Sequence, residues 1–153
     1  MENEHFKIVL SSTADAGAAY DAINRVWAWW TENLEGSTLK TQDVFTVRFG
    51  ETFVSFRVLE LREGRSIHWE VTDCYLHWLA DKHEWKGTRL LWEITPTAGG
   101  STIDFTHWGL IPGLECYADC AKGWTFYASE SLCQLLQDGK GLPKRKQPSP
   151  QTA

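Results

Sequence analysis

No run of apolar residues in this chain approaches the roughly 18 that a bilayer crossing requires. The N-terminal MENEHFKIVL likewise lacks the charge and apolar pattern of a secretion signal. Positive charge is scarce as well: the net charge is −5, with no basic stripe before the C-terminal tail. That balance argues against a nucleic-acid partner. The glycines form neither a phosphate-cradling loop nor a dinucleotide fingerprint, and Ser129 and Ser131 lack the flanking glycines of a nucleophile elbow. Nucleophilic catalysis is therefore not expected, and no catalytic residue is assigned. Cysteine is present only four times in 153 residues without secretory features, which points to reduced thiols rather than a disulfide framework. The expected compartment is the cytoplasm.

No internal repeat or linker divides the chain, so residues 1–142 are expected to form one domain, large enough to bury a core. Residues 143–153 are polar and proline-rich and are expected to be a disordered tail, with an address signal at Lys144, Arg145 and Lys146 as the alternative. What the chain has in abundance is aromatic area, including nine tryptophans.

Apolar residues recur at helical spacing from Pro112 to Gly141: Tyr117, Cys120, Trp124, Tyr127, Leu132 and Leu135. Glu115 and Asp119 suit the start of such a helix, and Gly139 with Pro143 beyond it suits the end. The span predicts a helix of roughly 25 residues and about 37 Å. Upstream, Phe6 to Leu10 reads as a strand, with Ser12 or Thr13 as the N-cap of a helical run to about Trp30, either one helix or two meeting near Asn24. Val44–Phe49, Thr52–Leu61, Arg65–Asp73, Thr88–Thr95 and Thr102–His107 then alternate as strands, separated by short turns that imply antiparallel neighbours. Parity directs Phe45, Val47 and Phe49 inward, and likewise Ile67, Trp69 and Val71, then Leu90, Trp92 and Ile94, then Ile103, Phe105 and His107. Arg48, His68, Glu70, Arg89, Glu93 and Asp104 share the wet face. A sheet with one apolar face needs a cover, and the last helix is the candidate.

This order of elements, with the stretches VTDCYLHWLADKHEWKGTRLLWEI (71–94), FTHWGLIPGLECYADCAKGW (105–124) and YASESLCQLLQDGKGLP (127–143), resembles the START-like (SRPBCC) superfamily, in the branch named after the activator of the heat-shock chaperone ATPase. The resemblance implies an α+β helix-grip fold, a curved antiparallel sheet wrapped around a long C-terminal helix with a cavity between them. It further implies binding of a small apolar or aromatic molecule there. A cyclase- or hydratase-type enzyme using the same cavity is one alternative, and a chaperone-binding adaptor another.

The expected ligand-binding residues are Trp69, Trp92, Phe105 and His107 from the inward sheet face and Cys120, Trp124 and Tyr127 from the helix stripe. Each ring is equally suited to filling a core. His107 is either a buried histidine held by hydrogen bonds or a group that touches ligand or moves a proton. Glu84 and Trp85 are candidates for a cavity lip, Gly123 for a close approach or a bend, and Trp30 is placed away from the cavity. Cys116 and Cys120 lie four apart on one helix face, but C-x-x-x-C is not a zinc signature, so neither metal nor cofactor is expected. Thiol titration after denaturation should find four free groups. Stoichiometric zinc that disappears on replacing Cys116 and Cys120 by serine would contradict this reading.

Overall fold

In a computed structural model that describes residues 5–144, the alternating segments form a seven-stranded sheet, antiparallel throughout. Its strands are β1 (Phe6–Ser12), β2 (Leu34–Gly36), β3 (Val44–Phe49), β4 (Thr52–Arg62), β5 (Ser66–Tyr75), β6 (Arg89–Thr97) and β7 (Gly100–Trp108). They lie in the order β1-β7-β6-β5-β4-β3-β2. The inward parity holds in every strand from β3 to β7: Phe45, Val47, Val54, Phe56, Trp69, Leu90, Trp92, Ile103, Phe105 and His107 are all buried. Two register shifts bend the sheet. An extra residue at Thr72 on β5 and another at Leu59 on β4 interrupt the pairing of those strands. A bulge sharpens the local twist and switches the parity beyond it, which is why Cys74 faces inward after Val71.

Helices α1 (Ala16–Asn24) and α2 (Val26–Trp29) follow β1. The cap of α1 is Asp15, whose Oδ1 accepts from the Ala18 N–H at 2.8 Å, and not Ser12 or Thr13. Ser12 is still paired within the sheet, opposite Ser101, so the chain has to leave the strand before it can coil. The helical run does break, at Arg25, and side chains satisfy the carbonyls freed there: the Trp29 indole donates to Ile23 O and the Thr38 hydroxyl to Asn24 O. Strand β2 escapes sequence reading because three residues, one of them glycine, carry no periodicity; its pairing with β3 makes it a strand.

The terminal helix starts at Tyr117 rather than Pro112. It consists of α3 (Tyr117–Trp124), a π-helical segment (Thr125–Leu132) and α4 (Cys133–Asp138), and it closes on Gly139 in the left-handed conformation at φ 78°. Four of its buried positions, Cys120, Trp124, Ala128 and Leu132, are spaced by four. In a regular α-helix each such step drifts about 40°, so three steps would turn Leu132 by about 120° away from Cys120. The wider turn of the π segment cancels that drift and keeps one face on the sheet. Most of the tail expected from residue 143 lies outside the described residues. Lys144, however, is held: its N–H donates to Trp30 O and its carbonyl accepts from Glu32 N, both at 2.9 Å. Among the described residues no helix is long and apolar enough to cross a membrane.

Gly100 opens β7 at φ 154°, and a Cβ there would collide with the Ser12 carbonyl oxygen. Gly99 has open space around it. Gly100→Ala is therefore expected to destabilise the fold by more than about 2 kcal/mol, and Gly99→Ala to stay within about 0.5 kcal/mol. Denaturant unfolding of the two variants checks this, and equal effects would remove the close approach as the cause.

Candidate functional site

Between the turn joining β3 to β4, the loop after β5 and the first turns of the terminal helix lies a cleft of about 300 Å³. Its walls are aromatic. Trp124 and Tyr127 come from the helix, Phe49 from the end of β3, Trp30 from the end of α2, and Trp78 and Trp85 from the loop. The Trp30 and Trp124 rings lie 5.0 Å apart, and Trp85 stacks within 10° of parallel to Trp124 at 6.1 Å. Half-exposed Trp78 stands at the mouth, its indole N–H donating to Asp119 Oδ2 at 3.1 Å.

Loop and helix hold each other by reciprocal carboxylates. Glu84 accepts from the Glu115 and Cys116 amides at 3.1 and 3.0 Å, supplying the N-terminal cap that no neighbouring side chain provides. Glu115 in turn accepts from the Ala80 amide at 3.1 Å and the Asp81 amide at 3.3 Å. These bonds fix Trp78 and Trp85 relative to Trp124.

The expected site residues divide into two groups. Cys120, Trp124 and Tyr127 line the cleft. Trp69, Trp92, Phe105 and His107 share the inner face of the sheet but stand behind the cleft wall, fully buried, and do not line it. Phe105 packs on Trp124 at 4.5 Å, and Trp92 meets Phe105, Trp29 and Trp69. The indole N–H groups of Trp69 and Trp92 have no hydrogen-bond partner. Neighbouring ring faces, such as Phe45 edge-on to Trp69, are the weak substitutes available.

His107 is locked in a directional chain. An indole nitrogen only donates, so Trp124 Nε1–H, 3.0 Å from His107 Nδ1, makes Nδ1 the acceptor and leaves the ring proton on Nε2. Nε2 then donates to the Thr88 hydroxyl at 2.9 Å, and that hydroxyl donates to Trp85 O at 2.6 Å. Burial, with the charge of His5 as a smaller influence, pushes the His107 pKa down to about 3, so the ring is neutral. It orients Trp124 and Trp85 from behind and does not reach the cleft.

Trp30, placed by sequence away from any cavity, lines the cleft. The helix break at Arg25 turns it inward, and its place on the apolar stripe with Ile23 and Val26 was the available signal. Trp85 lines the cleft too, whereas Glu84 is a helix cap. Asp119 and Trp78 were not anticipated, because their pairing spans 41 residues. Gly123 makes no close approach: a Cβ on it would meet nothing within 4 Å, and it borders the cleft.

Two further groups of the region are shifted by their surroundings. Burial pushes the half-buried Tyr127 phenol up. The Cys116 thiol is pushed up by its contact with the Cys120 thiol and then by burial, so it is a poor nucleophile. Among the described residues no cluster of three or more His, Cys, Asp or Glu could hold a metal ion.

A sheet gripping a terminal helix, with a cleft at one end, decides the architecture. The fold is the helix-grip fold. Solved structures that share it include the Aha1 dimer from Colwellia psychrerythraea, with a TM-score of 0.72 at 22% identity, covering 92% of this chain and 100% of that one. Protein MLL2253 from Mesorhizobium loti has a TM-score of 0.71 at 13% identity, over 90% of this chain and 98% of that one. DynU16, a protein in the dynemicin biosynthetic locus, has a TM-score of 0.66 at 18% identity, over 92% of this chain and 49% of that one. No family model and no curated protein matches the chain. At these identities the helix-grip likeness establishes the fold alone.

The depressed His107 pKa carries a sign. Below about pH 6.5 an unfolded chain protonates this histidine and the folded one does not, so stability is lost as pH falls from about 6.5 towards 3. The slope from this one group is about 1.4 kcal/mol per pH unit. His107→Gln should be less stable than the parent at pH 8, and that gap should narrow as the pH is lowered to 4. Denaturant unfolding across the range measures it, and a gap independent of pH would place the acid sensitivity elsewhere.

Proposed function

We propose that this protein binds a small, largely apolar or aromatic molecule in the cleft between the sheet and the terminal helix. The observation that carries the proposal is Gly123. A glycine inside a helix costs about 1 kcal/mol relative to alanine. Here no backbone approach requires it, because an added Cβ would enter open space. The next residue along is Trp124, in the cleft wall. A position that tolerates a side chain, gains helix stability from one and lacks it is what keeping a cleft open requires.

The size and chemistry of the space agree with this reading. At about 30 Å³ per water-sized group, a cleft of about 300 Å³ takes on the order of ten non-hydrogen atoms. Aromatic walls with few polar groups are usual for sites that take small molecules. Catalysis would need convergent acid and base groups. Asp119 is the one carboxylate in the lining, and no histidine, lysine or arginine joins it. Binding is therefore the better supported reading, with the helix-grip neighbours consistent with a ligand-binding fold.

A thermal-shift and tryptophan-fluorescence screen of small apolar and aromatic compounds tests it. A true ligand at about 100 times its dissociation constant stabilises by about 2.7 kcal/mol, a rise in Tm of about 5 to 10 °C for a domain of this size. Gly123→Ala is expected to raise stability by about 0.5 to 1 kcal/mol, and Gly123→Leu to fill the cleft and abolish the ligand response while remaining folded. A broad screen without any response, or binding that survives Gly123→Leu unchanged, would leave the proposal unsupported.

A further inference from the structure

We infer that the cleft selects a cation, namely a compact quaternary or protonated amine with an apolar or aromatic body, over neutral and anionic molecules of the same shape. The inference rests on the cleft being the ligand site and adds the charge of the occupant. Two independent features converge on it. The first is the wall. Trp30, Phe49, Trp78, Trp85, Trp124 and Tyr127 line one small space. Ring faces carry negative quadrupole potential and attract ammonium groups, tryptophan most strongly. The donors in the lining are uncharged, namely the Thr52 and Tyr127 hydroxyls and the indoles, of which the Trp78 N–H is already bound to Asp119.

The second feature is charge. Asp119 is the only carboxylate in the lining, and no cationic side chain shares it. The basic groups close by are turned elsewhere. Lys82 donates to the His77 and Leu79 carbonyls at 3.0 and 2.7 Å and stands over the Tyr75 ring, and Arg48 pairs with Glu35 at 3.0 Å. Lys122, in the next turn of the helix, is exposed and outside the lining. A carboxylate ligand would meet Asp119 with nothing to neutralise it, whereas an ammonium would gain from both the rings and the carboxylate. The bond from Trp78 to Asp119 also ties the ring at the mouth to that carboxylate.

The test compares three probes of similar size by fluorescence titration at equal co-solvent: benzyltrimethylammonium, its uncharged carbon isostere neopentylbenzene, and the anion 3-phenylpropionate. The cation is expected to bind about tenfold more tightly than the isostere, and the anion most weakly. Asp119→Asn keeps an oxygen for the Trp78 indole and removes the charge. It is expected to weaken the cation about three- to tenfold and leave the isostere unchanged. High salt should narrow the advantage in the parent protein, because screening shortens to about 3 Å at 1 M. The three-probe comparison on the parent stands even if the variant folds poorly. If the isostere binds as well as the cation, the charge inference is overturned and the cleft reading survives. If none of the probes binds and the broader screen is also silent, both fall.

Discussion

The packing of Trp124 is the contact on which the rest of this structure depends. Its ring lies against Trp30, Trp85, Trp92 and Phe105, which belong to the C-cap of α2, the loop after β5, β6 and β7. Its N–H begins the chain of hydrogen bonds through His107 and Thr88 to the Trp85 carbonyl. One side chain therefore sets the spacing between helix and sheet and orients the loop that borders the cleft. A neutral histidine suits this role: it accepts at one nitrogen and donates at the other, so a buried indole and a buried hydroxyl are both satisfied without a buried charge.

Beside the stacking of Trp85 on Trp124, the terminal helix and the loop are held by polar bonds at the margin of the cleft. Glu84 and Glu115 each accept from backbone amides of the other segment. Bonds of this kind position two elements without filling the space between them. On the helix side Gly123 leaves that space vacant, and the π segment that begins at Thr125 brings Ala128 and Leu132 back onto the sheet beyond the cleft. The opening is thus local, and the same helix closes the core a turn later.

Asp119 and Trp78 give the mouth a chemistry different from the interior. Behind the wall, Trp69, Trp92 and Phe105 form a solid aromatic layer in which two indole donors go without partners. Each such orphan costs about 1 to 3 kcal/mol, tolerable where large rings bury much apolar area. At the mouth the Trp78 donor is satisfied by a carboxylate that also faces the cleft.

Strand parity, the antiparallel order, the terminal helix and its glycine stop were all legible in the sequence, because each is a local property: a two-residue alternation, a short turn, a helical stripe, a left-handed cap. Parity also placed Trp69, Trp92, Phe105 and His107 on the inner face of the sheet. It does not say whether an inward side chain meets another side chain or open space. That depends on what lies opposite. Trp92 is met by Trp29, while Phe49, at the strand end beside Gly50, and Trp30, turned in by the break at Arg25, border the space left between elements. The cap from Glu84, the tie from Trp78 to Asp119 and the bonds of His107 to Trp124 and Thr88 join residues 17 to 41 positions apart. No local pattern encodes such pairs, since their partners become neighbours only when the sheet has curved and the helix has been laid across it.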